Sequence, residues 1–120
     1  MDFQPHLLKA ERNKKFLCNT LLKTIEACPD WASVVAFYSA LHFVEAFLKK
    51  THGLDFEHHE DRHKFISNYV PEIWVAYYRL FDLGFSSRYK SINDSPTPDE
   101  TLSAIEFDFA EVEKYVKERI

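Results

Sequence analysis

Residues 57–63 read EHHEDRH, placing three histidines, three acids and one arginine in seven positions. His59 and Arg62 are spaced i, i+3, so a helix beginning there points them the same way. An upstream segment, WASVVAFYSALHFVEAFL, holds Tyr38, His42 and Glu45 at i, i+4 and i+7, on one face with Trp31 and Val35. A carboxylate on so apolar a helix stays ionised only beside a cation. Arg62 is one candidate. Arg88 is the other, since Trp74, Tyr78, Phe81, Phe85 and Arg88 form a single helical stripe taken to face the core. These residues predict one polar cluster of His42, Glu45, His59, Arg62 and Arg88, with Tyr38 and Tyr89 as hydroxyl donors.

Three kinds of chemistry suit such a cluster. It can fix helix register as a buried ion pair. It can form the rim of an anion pocket, with the free N–H groups of a helix N-terminus beside the planar fork of Arg62 and a second arginine, Arg88. It can bind a metal, but HEDRH, with three residues between its histidines, is read as departing from the H-E-x-x-H of a zinc protease, and Arg62 in its middle would repel a cation. Paired-cysteine zinc patterns are missing as well. No metal and no cofactor is expected. Two glycines in the whole chain leave no glycine-rich phosphate loop.

The elements that must position these side chains are helices. The chain has 120 residues, 46% hydrophobic and 28% charged, which fits one globular domain spanning 1–120. The spacing predicts helices over 6–27, 31–51, 59–69, 72–85 (extending to 89) and 98–120. The first carries Leu7, Leu8, Phe16, Leu21, Leu22 and Ile25 as its apolar positions. The second is apolar nearly all round and is therefore the central one. Gly53 closes it, and Thr97, Pro98 and Glu100 form a capping box for the last, whose stripe is Leu102, Ile105, Phe109, Val112 and Val116. The fold class is all-α, an up-and-down bundle of five helices with the third short.

The net charge of -4 argues against a protein that coats nucleic acid by bulk charge, and leaves room for a local basic patch. Cys18 and Cys28, placed on one helix, stand about 15 Å apart by helical rise. That exceeds the reach of a disulfide, so both are read as reduced core or interface thiols of a cytoplasmic protein. The first residues lack the apolar run of a signal peptide, and no membrane span is expected. Eleven Phe, six Tyr and two Trp exceed what a bundle this small buries alone, so a homodimer is expected.

Three stretches, DWASVVAFYSALHFVEAFLKK, HHEDRH and YYRLFDLGFSSRYKS, together resemble the HEPN (higher eukaryotes and prokaryotes nucleotide-binding) domains across about residues 30–90. The matching positions are Phe37, Tyr38, His42, Glu45 and Ala46, then His59 and Arg62, then Arg88 and Tyr89. The resemblance implies a helical bundle that dimerises and acts on or near RNA, nucleotides or a partner protein. Such domains often serve prokaryotic toxin–antitoxin, defence or stress systems. Ribonuclease members carry Arg, four to six residues, then His. Arg12, Arg62, Arg79, Arg88 and Arg119 all lack a His at that offset. The resemblance therefore implies a binding module without catalysis. The alternatives are a ribonuclease that uses His59 and Arg62 as a variant site, and a structural dimerisation or adaptor domain.

Overall fold

The computed structural model describes residues 2–89 and 96–120, apart from the side chains of Arg88 and Tyr89. The described chain is all-α, with helices α1 (Gln4–Asn19), α2 (Pro29–His52), α3 (His59–Tyr69), α4 (Trp74–Tyr89), α5 (Pro98–Ser103) and α6 (Ala110–Arg119). A π-helical stretch, Ala104–Phe109, joins α5 to α6, so these three segments form the fifth helix of the bundle.

The central helix follows from its composition. α2 buries Ala32, Ala36, Phe37, Ala40, Leu41, Phe43, Val44, Ala46, Phe47 and Leu48, which point to several sides of its axis. Its small residues let neighbours approach closely, and two serines use the proximity. Ser39 Oγ donates to the Ala10 carbonyl at 2.8 Å, and Ser33 Oγ lies 2.8 Å from Thr101 Oγ1. The helix ends at Gly53, whose φ of 68° is the left-handed conformation that only glycine adopts freely, and whose N–H bonds Leu48 and Lys49 carbonyls. By length and composition alone α2 is long and apolar enough to cross a membrane. It has 24 residues, and an 18-residue window of mean hydropathy 1.4. However, 72% of that window is buried inside the bundle, as suits the core helix of a globular domain.

Three expectations are corrected. The first helix does not run unbroken through 6–27. Thr20 leaves helical geometry at φ -124°, ψ -59°, and a 3₁₀ turn, Leu21–Thr24, follows. The turn swings Ile25 into a small cluster with Leu17, Ala32 and Ala36. Cys18 and Cys28 therefore do not share a helix. Cys18 is exposed near the end of α1, Cys28 caps the start of α2, and both are free.

The last helix keeps its predicted capping box, with Thr97 Oγ1 accepting from Glu100 N–H at 3.1 Å. Its stripe is re-phased by the π stretch, which inserts residues into the 3.6 period. Thr101 and Ala104, outside the predicted stripe, are buried, as are Phe109, Val112 and Val116 within it, while Leu102 and Ile105 are half-buried against the small cluster of Leu17, Ile25, Ala32 and Ala36. The aromatic stripe of α4 is the third correction. The face turned inward is Ala76, Tyr77 and Leu80, whereas Tyr78 and Phe85 are each 44% exposed. Trp74, Tyr78, Phe81 and Phe85 make a ridge, with Trp74 and Phe81 leaning on the core and Tyr78 and Phe85 at the surface.

Candidate functional site

Glu45 of α2 meets Arg62 of α3, which also holds His59, and His42 joins them through His6. Arg62 is only 3% exposed, and its fork is used inside the protein. One Nη2 donates to Glu45 Oε1 at 3.2 Å and to the Phe56 carbonyl at 2.8 Å, and Nη1 lies 3.0 Å from His59 Nδ1. Glu45 is thus paired to Arg62, one of the two arginines the sequence offered. The Arg88 and Tyr89 side chains lie outside the described residues. Burial holds the Glu45 carboxyl above the usual carboxylate range, and the charges of Arg62 and then His6 act against that rise.

His6 was not foreseen. Its Nδ1 stands 3.1 Å from Glu45 Oε2 and 3.4 Å from His42 Nδ1, and its Nε2 is 3.6 Å from Asp55 Oδ1. The signal was present in the sequence. His6, Ala10 and Leu17 lie at i, i+4 and i+11 on one face of α1, and Ala10 and Leu17 are fully buried. Leu8 and Phe16, counted among the apolar positions of this helix, are exposed. Desolvation, then the charges of His6, Lys9, Arg62 and Arg12, lowers the His42 pKa to about 4.

Tyr38 lines a different cavity of about 370 Å³, with Asp30, Trp31, Val34 and Ser87. His42, Glu45, Arg62 and His59 form a continuous chain through His6.

HEDRH does satisfy the spacing H-E-x-x-H, so spacing alone never excluded a metal there. What α3 does with it is different. His59 is tied to Arg62, and His63 turns into an aromatic cage. The His63 ring lies 4.4 Å from Phe81 at 83°, 5.4 Å from Trp74 and 5.8 Å from Tyr78. Together His59, His63, Trp74, Tyr78 and Phe81 line a shallow groove of about 470 Å³, with Glu60 and Lys64 on its rim.

Burial, then the charges of His59 and Arg62, brings the His63 pKa to about 4, against an ordinary value of 6.5. Burial, then Arg62, also lowers that of His59. Between pH 6.5 and about 4 the unfolded chain takes up a proton at position 63 that the folded chain refuses. This contribution to stability is complete above pH 6.5 and is lost as pH falls toward 4. Urea midpoints at pH 7 and pH 4.5 should therefore differ less for His63→Phe than for wild type. Equal pH dependence in both would contradict a neutral, caged His63.

No protein-family model, no curated protein and no solved structure matches this chain.

Proposed function

We propose that this chain is a HEPN-like binding module that holds single-stranded RNA or a nucleotide in the α3–α4 groove without cleaving it. The observation that carries this reading is the groove itself. Exposed Tyr78, half-buried Trp74 and Phe81, and an uncharged His63 offer flat π faces on which an unstacked base can lie. The N-terminus of α3 adjoins it. His58 caps that helix without a side-chain hydrogen bond, which leaves backbone N–H groups for a phosphate, and Lys64 adds a positive charge. Glu57, Glu60 and Asp61 oppose this, so binding is modest and salt-sensitive.

Binding is favoured over cleavage because Arg62, the cation a variant ribonuclease would need beside a phosphate, is engaged by Glu45, Phe56 and His59. The resemblance extends the proposal to a homodimer in a prokaryotic defence, toxin–antitoxin or stress system. Exposed Trp31, Val75, Tyr78 and Phe85 support self-association.

The test is titration of short RNA oligonucleotides and mononucleotides at low salt against wild type and Tyr78→Ala. Losing one stacking ring should weaken binding by about 1–3 kcal/mol, or roughly 5–150-fold. An absence of binding by wild type overturns the proposal. The second reading, a dimerisation or adaptor face, rests on the same exposed rings. It is favoured if Tyr78→Ala instead halves the sedimenting mass and RNA binds neither protein.

A further inference from the structure

We propose that His6, His42 and Glu45 form a site for a divalent transition-metal cation of the zinc class, bridging the start of α1 to the middle of α2. Their ligating atoms all lie within 4.8 Å of one another. A zinc ion holds nitrogen and oxygen ligands at about 2.0–2.2 Å, so the edges of its tetrahedron are about 3.3–3.6 Å long. Two edges already have nearly that length. His6 Nδ1 is 3.4 Å from His42 Nδ1 and 3.1 Å from Glu45 Oε2.

The contact between two ring nitrogens points the same way. A proton on His6 Nδ1 has both the Glu45 oxygen and the His42 nitrogen to serve, and a proton on His42 Nδ1 instead leaves the His6 lone pair facing the Glu45 carboxylate. A cation at the centre meets all three donors at once.

The outer contacts are those that orient metal ligands. Arg62 holds Glu45 by Oε1 and leaves Oε2 toward the histidines. Asp55 faces the far nitrogen of His6, Nε2, at 3.6 Å, and is itself held by Lys49. A carboxylate behind a histidine fixes its tautomer and raises its basicity toward a metal. The His6 and Glu45 side chains are 24% and 15% exposed, so solvent reaches the site, and a water would complete a four-coordinate ion.

Two imidazoles and one carboxylate select zinc, cobalt, nickel or copper over magnesium or calcium, which need more oxygen ligands. Lys9, Arg12 and Arg62 act against a cation here, and Glu45 and Asp55 act for it.

The experiment is titration of the chelator-treated full chain with Zn²⁺ and with Co²⁺, read by calorimetry and by the visible absorption of bound cobalt. One equivalent per chain is expected, with a rise in Tm on adding zinc. His6→Gln and His42→Gln should each abolish both effects while melting cooperatively without metal. Asp55→Asn should weaken binding about 10–100-fold. His63→Gln should bind as wild type does. No zinc binding by wild type overturns the proposal. So does binding that survives His6→Gln and is lost in His63→Gln, which would place the ion on HEDRH.

Discussion

Replacing Arg62 by alanine should lower the unfolding free energy by about 3 kcal/mol, the low end of the cost of breaking a buried ion pair. Arg62 is nearly inaccessible, and its guanidinium serves a carboxylate, a backbone carbonyl and a histidine together. Removing it leaves the Phe56 carbonyl without this donor and Glu45 in a site where burial already penalises its charge. The low end applies because His6 remains beside Glu45. Lysine should rescue little, since a point charge cannot serve three partners as a planar fork does. Adding Glu45→Gln to Arg62→Ala should recover part of the loss, because the stranded charge is then gone. Urea denaturation of the two single variants and the double checks this. A wild-type midpoint for Arg62→Ala would show that the pair does not hold α3 to α2.

Gly84→Val should cost about 2–3 kcal/mol by overpacking. Gly84 is buried in α4, and a Cβ there would lie 2.8 Å from Phe37 Cβ. That atom is fixed by the backbone of α2, so the helices themselves must part. Phe37 also contacts Tyr77, His59 and Phe81, so the displacement reaches the groove. Alanine should cost less, because its helix propensity exceeds that of glycine by about 1 kcal/mol. Thermal or urea melting of both variants measures the effect. A valine variant as stable as wild type would mean that α2 and α4 do not approach this closely.

Much of this arrangement was legible in the residues. A helix apolar on nearly every side has to be central, and α2 is. Gly53 and the Thr97 capping box are local chemistry, independent of tertiary context, and both stand where the sequence placed them. The Glu45–Arg62 pair followed from a physical demand, since a carboxylate among apolar neighbours needs a cation.

What escaped depended on packing. The break at Thr20 carries no proline or glycine to announce it. The π stretch changes which residues face inward without altering composition. The aromatic stripe of α4 was taken to face the core, yet Ala76, Tyr77 and Leu80 are the residues turned inward, while Tyr78 and Phe85 remain exposed. His6 was missed because the polar cluster was assembled from the middle of the chain alone.

The α3–α4 groove as a base-stacking surface is tested most directly by the fluorescence of Trp74. Trp31 lines the separate cavity beside Tyr38, so Trp31→Phe leaves Trp74 as the sole tryptophan. Titrating that variant with single-stranded RNA at low salt should quench Trp74 in a saturable manner, and added salt should reverse it. Fluorescence that stays unchanged while RNA binds would place the nucleic acid elsewhere, and unchanged fluorescence with no binding would leave the groove without this role.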